Sequence, residues 1–315
     1  MATSFSPSNS VTVTTAANFI PEIWSDEIVA AYKKNLVMAN LVMKMNFKGK
    51  KGDTVHIPAP TRGSASAKAA ETAVTLIAAT EAEVQVSINK HYEYSRLIED
   101  IVEAQALNSM RQFYTSDAGY ALARQVDTDL IQLGRSANGG AGTAAYANAY
   151  IGGDGTTAYV AASNNESALT DAAIRRTIQR LDDNDTPMDQ RFFLIPPSSR
   201  NTLMGLARYT EQAFVGTGDA IRTGEIGNLY GIPVFVSSNA DTTSGSGAAR
   251  VCIMGHRDSM VLVEQVAVRS QVQYKQEYLA TLFTSDTLYG VAALRSAATV
   301  GAAKSSAYFV LAVPA

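Results

Sequence analysis

The chain is poor in the side chains that do chemistry. Cys252 is the one cysteine in 315 residues, and His56, His91 and His256 are the only histidines. No disulfide can close within the chain, and no cysteine-built zinc site is possible. Cys252 lies in the apolar run Val251 to Met254, where a thiol acts as a small buried hydrophobe. No two histidines stand four apart and no H-E-x-x-H occurs. There is no P-loop, no G-x-G-x-x-G and no G-x-S-x-G elbow; Gly216 and Gly218 lack a third glycine and a preceding strand. The acidic run Asp182, Asp183, Asp185 and Asp189 lacks the central glycine and closing glutamate of a calcium loop, and reads as a solvated helix end and turn. His256 sits in the turn-like Gly255-His256-Arg257-Asp258, with no nucleophile marked beside it. Catalytic residues, cofactor ligands and metal ligands are therefore all expected to be none.

Charge is also scarce. Asp, Glu, Lys and Arg make up 17% of residues, and the formal net charge is −3. Such a balance does not support sequence-specific nucleic-acid binding. No run approaches the ~20 apolar residues that span a bilayer, so no membrane partner is expected. Met1 to Phe19 has no basic start and no long apolar core, unlike a signal peptide. These absences predict a soluble protein made in a cytoplasm. Hydrophobic residues at 46% suffice for ordinary cores.

Met1 to Ala17 is rich in Ser and Thr and reads as an extended arm, ordered only when it lies on something else. Asn18 to Val42 reads as a helix, with Trp24, Ile28 and Tyr32 as one stripe. After the basic cluster Lys48 to Lys51, alternation over Gly52 to Pro60 predicts a strand, with Val55 and Ile57 on one face. A polar stretch follows, and alternation over Glu83 to Ser95 predicts a long second strand. Together they make a long hairpin with a polar tip and little core of its own, expected to lie on a neighbouring subunit. His56 and His91 fall on its polar face, where solvated or cross-strand roles fit them.

Ile98 to Gly134 reads as one long helix. Ile98, Val102, Ala106, Met110 and Phe113 make one stripe, Leu122, Val126, Leu130 and Leu133 another, and Gly119 is a candidate bend. A glycine-rich break over Gly134 to Asn165, with a small hairpin expected around Tyr146 to Val160, separates a second lobe. There Thr170 is positioned to cap a helix, Arg191 to Ile195 reads as a strand, and Ser198 or Ser199 is expected to cap a further helix. Gly224 to Ser238, GEIGNLYGIPVFVSS, reads as loop, tight glycine turn and short buried strand. Further strands are expected over Ala249 to Met254, Met260 to Glu264, Val266 to Tyr274 and Ala307 to Val313, while Thr287 to Leu294 fits helix or strand.

GEIGNLYGIPVFVSS and the later segment DTLYGVAALRSAATV (Asp286 to Val300), in this order of elements, resemble the major capsid proteins of tailed phages. The resemblance implies an α+β, Hong Kong 97 type capsid fold. Its parts would be an N-terminal arm and first helix (1–45), a long β-hairpin extended loop (46–95), and a peripheral domain with spine helix and Gly-rich linker (96–165). An axial domain (166–250) and C-terminal strands completing the peripheral domain (251–315) would follow. It further implies hexamers and pentamers of an icosahedral virion capsid assembled in the host cytoplasm. The implied partners are packaged double-stranded DNA held non-specifically, a portal protein at one vertex and, since the arm before the first helix is short, a separate scaffolding protein. Arg62 and Lys68 at the hairpin tip are the implied assembly contacts. Some members of the family join a loop lysine to a neighbour's asparagine; Lys68 is the lysine placed for that, and no motif marks its asparagine or glutamate. Other readings are an encapsulin-like nanocompartment shell holding enzymes, a hydrolase on the α/β lobe, and a fibre or adhesin built on the Ser/Thr/Gly/Ala-rich stretches.

Overall fold

A computed structural model describes residues 36–48, 51–60, 65–74, 76, 81–105, 110–137, 150–156, 166–206, 227–240, 249–295 and 307–314. The arm Met1 to Ala17 and the first helix up to residue 35 lie outside them. Val37 is not helical (φ −125°) and starts the single turn α1, Met38–Leu41. The expected helix therefore does not run unbroken to Val42, which is extended and leads into β1, Met43–Asn46.

The hairpin forms: β2, Thr54–Pro60, pairs antiparallel with β3, Glu81–Ser87. Its expected second strand divides in two. The chain leaves β3 at Ile88 and Asn89 and begins β4, Lys90–Glu99, in another sheet. Alternation stays in phase through the break, which is why the sequence reads as one strand. β4 also runs further than expected, because Ile98 pairs with Thr281 across a ladder. Helix therefore starts at Asp100, two residues late, as α2, Asp100–Gln105, and the long helix α3 is Met110–Ala137. At 28 residues α3 is ~42 Å long. It continues through Gly119, where an added Cβ would meet nothing within 4 Å.

β5, Tyr150–Gly152, pairs in parallel with the last strand β12, Tyr308–Val313, and the rest of the glycine-rich break is mostly outside the described residues. Thr170 caps α4, Asp171–Asp183, accepting the Ala173 amide at 3.2 Å. β6 is Arg191–Ile195, and α5 is Pro197–Met204. Neither Ser198 nor Ser199 caps α5. Pro196 is the cap residue and Pro197 takes the first helical position, where its missing N–H is not needed. The opening of GEIGNLYG lies outside the described residues. The remainder is β7, Asn228–Leu229, and β8, Ile232–Val236, joined through Tyr230 (φ 52°) and Gly231 (φ 82°). Two consecutive positive φ values are the geometry of a type I′ hairpin.

β9 is Arg250–His256. The two strands expected over 260–274 are one, β10, Met260–Lys275, with register irregularities between Glu264 and Arg269. The ambiguous segment is strand: it belongs to β11, Ala280–Ala293. Four strands order as β1-β10-β11-β4, and six as β5-β12-β9-β6-β8-β7. The six-stranded sheet thus takes in β9 and β12, strands from the segment expected to complete the first lobe.

At the centre of the six-stranded sheet, along β6 and β12 and most of β9, both faces are buried, which explains the unbroken apolar run Phe192 to Ile195. Phe192 and Leu194 join Leu130 and Ile131 of α3 and Leu262 and Tyr289 of the four-stranded sheet in one core. Phe193 and Ile195 face Ile174 and Leu181 of α4 and Leu203 of α5 in another. Helix α3 thereby joins the two sheets.

Candidate assembly surfaces

The hairpin has a core only at its root. Val86 and Ile88 pack with Val55 and Ile57 onto Val261 and Val263 of β10. The Ile88 amide donates to the Asp53 carbonyl at 2.7 Å, and Gln265 Nε2 donates to the Gly52 carbonyl at 3.0 Å. Gly290 of β11 seats the root: a Cβ there would stand 2.5 Å from the Ser87 carbonyl oxygen. Toward the tip, residues 65–74 and 76 are all exposed, including Lys68, and Val74 and Leu76 are 68% and 88% exposed. Arg62 lies outside the described residues. His56 does take a cross-strand role, Nδ1 standing 3.0 Å from Glu83. Hydrogen bonds from Gln85 and His56 hold the Glu83 carboxyl below its usual range. Lys48, from the basic cluster, approaches Glu264 at 3.8 Å.

A second surface is the far end of the four-stranded sheet, where β10 and β11 continue past β1 alongside β4. Leu97, Ile101, Val268, Val272, Tyr278 and Leu279 are all exposed there. Exposed apolar groups concentrated in one region have the composition of an interaction surface.

Polar ties stiffen this projection. Arg269 of β10 grips Asp286 of β11 with Nε at 2.7 Å and Nη2 at 2.8 Å, and His91 of β4 stands 3.2 Å from the same carboxylate. The Arg269 guanidinium, with His91 behind it, lowers the Asp286 carboxyl to about 2. Ser270 and Ser285 hydroxyls meet at 2.8 Å beside it. On α3, Asp129 accepts from Tyr289 Oη at 2.7 Å and pairs with Lys90 Nζ at 3.1 Å. Burial, then the Asp129 carboxylate, push the Tyr289 phenol far up. Lys90 and Asp129 border a cleft of about 460 Å³ between the hairpin root and α3, lined also by Gln85, Asn89 and Gln132.

Asp127, one turn from Leu130 on α3, joins three remote segments. It accepts the Met38 amide at 2.7 Å, at the start of α1, and Asn239 Nδ2 at 3.0 Å, beyond β8. Burial raises its carboxyl, opposed by these hydrogen bonds.

None of these groups forms a nucleophile with a base. Burial pushes the Cys252 thiol up to about 12, so it stays protonated, with Ser199 Oγ 3.4 Å away. His256 Nδ1 accepts the Asp258 amide within its own turn at 3.1 Å. Asp182 accepts from Arg191 Nη2 at 2.7 Å. Among the described residues no group of three His, Cys, Asp or Glu could hold a metal ion. Sequence reading missed Asp127, Asp129, Asp286 and Arg269. The signal for the first two was two acids flanking the inward stripe of α3; nothing local marks Asp286 and Arg269.

The chain resembles a solved structure from Mycobacterium phage Che8 at 22% identity and TM-score 0.73, over 93% of this chain and 97% of that one. The capsid structure of cyanophage P-SCSP1u aligns at 18% identity and TM-score 0.72, over 99% of both chains. A chain of the bacteriophage PhiM1 mature capsid aligns at 14% identity and TM-score 0.68, over 93% of this chain and 92% of that one. These likenesses establish a shared mixed helix-and-strand fold. No curated protein sequence matches the chain. A family model described as Phage capsid protein matches residues 36–303. The chain belongs to the phage capsid protein family.

Proposed function

We propose that this chain is a major capsid protein of a tailed phage, with the Hong Kong 97 type arrangement, whose hexamers and pentamers close an icosahedral shell around double-stranded DNA. The observation that carries the reading is the hairpin: its root is packed, and its outer part has nothing of its own chain to lie on among the described residues. Laid on a neighbour, it would bury surface that neither subunit buries alone. In this reading 46–95 is the extended loop, α3 the spine helix of the peripheral domain, and the six-stranded sheet with α4 and α5 the axial domain, now including β9 and β12. The role is structural, and shell energy comes from interfaces. Net charge near zero suits an inner wall that tolerates packaged DNA without reading its sequence. A separate scaffolding protein and a portal protein are the further partners expected during assembly in the host cytoplasm.

Electron microscopy of the purified protein with its scaffolding partner, and assay of nuclease-resistant DNA in phage particles, test this. Closed shells around DNA are expected. Monodisperse monomers at high concentration would refute it, and shells filled with protein cargo would point instead to a nanocompartment. Lys68, exposed near the tip, is the candidate for a covalent link between subunits. A single monomer band from boiled particles on a denaturing gel would exclude that link.

A further inference from the structure

We infer that uptake of a proton by His91 tightens the pairing of β4 with β11, so that the projecting sheet is stiffer in mild acid than in mild alkali. The inference concerns the folded subunit and stands whether or not the subunit builds a shell. The geometry is a row of charges across three strands. Arg269 of β10 lies directly opposite Asp286 of β11, and Asp286 directly opposite Glu93 of β4. Residues opposite each other share a face of the sheet, with Cβ atoms ~5 Å apart. Two carboxylates therefore share one fixed cation, Arg269, which is bound to Asp286. Like charges facing across a ladder destabilise it. The rows on either side, Val266–Leu288–His91 and Gln271–Thr284–Ser95, carry no charge but that of His91. The hairpin root reaches Leu288 with the apolar Val86 and Ile88, and Lys90 is engaged with Asp129.

His91 Nε2 stands 3.2 Å from Asp286 Oδ2. A neutral imidazole can donate that hydrogen bond. A protonated one makes it charge-assisted and supplies the cation that the row lacks. Histidine is the side chain that changes charge between about pH 5 and 8. The Arg269 guanidinium holds the Asp286 carboxyl at about 2, so Asp286 stays ionised throughout that range. The sign follows: the contribution is present where His91 is charged, and is lost as pH rises through its titration. The other two histidines belong elsewhere. His56 meets Glu83 within the two-stranded hairpin sheet. His256 is buried, its Nδ1 accepting the Asp258 amide. The His91 side chain is 61% exposed, so water and salt screen the pair. A tightening of about two- to fivefold is the scale of such an exposed pair. A stiffer sheet loses less freedom when another molecule covers its exposed Leu97 or Val272, so mild acid would also favour docking there.

Hydrogen exchange of unassembled subunits tests this strand by strand. Protection factors, which divide out the intrinsic pH dependence of exchange, are compared in mild alkali and mild acid, about pH 8 and about pH 5.5. Amides of β4 and β11 are read against those of α4 and β12 as an internal reference. In the unsubstituted chain the ratio is expected to rise about two- to fivefold toward the acid side. His91→Gln keeps a neutral side chain that can still donate a hydrogen bond, and is expected to abolish the rise. Asp286→Asn is expected to abolish it too, a result that a packing role for His91 would not give. His56→Gln is expected to leave it intact. No rise in the unsubstituted chain, or an equal rise in either His91→Gln or Asp286→Asn, overturns the inference. A rise lost in His56→Gln would assign the proton to the hairpin and overturn it as well.

Discussion

Replacing Asp286 by Asn should weaken the projecting sheet in a pH-dependent way. The Asp286 carboxylate joins three neighbouring strands, through Arg269 of β10 and His91 of β4. Its folded pKa is about 2, against an ordinary value of 3.8. At ~1.4 kcal/mol per pKa unit, the difference sets a ceiling of about 2.5 kcal/mol. Screening lowers this. The Asp286 side chain is 12% exposed, but those of Arg269 and His91 are 56% and 61% exposed. Exposed ion pairs contribute about 1 kcal/mol or less, so about 1 kcal/mol is the expected loss at neutral pH. The sign follows from the depressed folded value. The contribution is present above the unfolded pKa near 4, and is lost as pH falls through about 2. Urea unfolding of unassembled subunits, followed by circular dichroism across this range, should show the wild-type and Asp286→Asn midpoints apart at neutral pH and converging in acid. Concentrated salt should narrow the neutral gap as well. A gap of constant size down to the lowest pH, or no gap at neutral pH, would refute the electrostatic account.

Three other substitutions probe the frame. Gly290→Ala places a Cβ 2.5 Å from the Ser87 carbonyl oxygen, a backbone atom that cannot step aside alone; a loss of about 1–3 kcal/mol is expected, with faster amide exchange across β2 and β3 as the specific readout. Asp127→Asn turns one acceptor toward the Asn239 amide into a donor, whereas Asp127→Asn with Asn239→Asp restores a complementary pair; a coupling of about 1 kcal/mol in the double-mutant cycle is expected from urea melts. Because burial raises the Asp127 carboxyl above its unfolded value, its own contribution is full below the unfolded pKa and falls as pH rises through the folded one, the reverse of Asp286. Thr170→Ala removes the side-chain cap of α4 and should cost about 1 kcal/mol in thermal or urea unfolding, with Thr170→Ser recovering most of it.

Local rules suffice wherever one local signal decides the outcome. Thr170 caps because its hydroxyl meets the Ala173 amide three residues on, a relation visible in one turn of sequence. The run Phe192 to Ile195 is strand because both its faces are filled, by α3 on one side and α4 on the other. Where two local patterns fit the same residues, long-range pairing chooses between them. Ile98 continues an i, i+4 stripe, yet it is held in β4 by Thr281, far along the chain. Ile88 keeps the alternation of β3 in phase with β4, so no local feature announces that the strand changes sheets there. Thr287 to Leu294 is undecidable from sequence for the same reason: Leu288 and Tyr289 acquire strand geometry from His91 and Lys90 on one side and Val266 and Glu264 on the other. The assembly surfaces divide along the same line. A hairpin too polar to hold itself together is legible in composition, whereas the Arg269–Asp286–His91 tie is a product of three strands meeting.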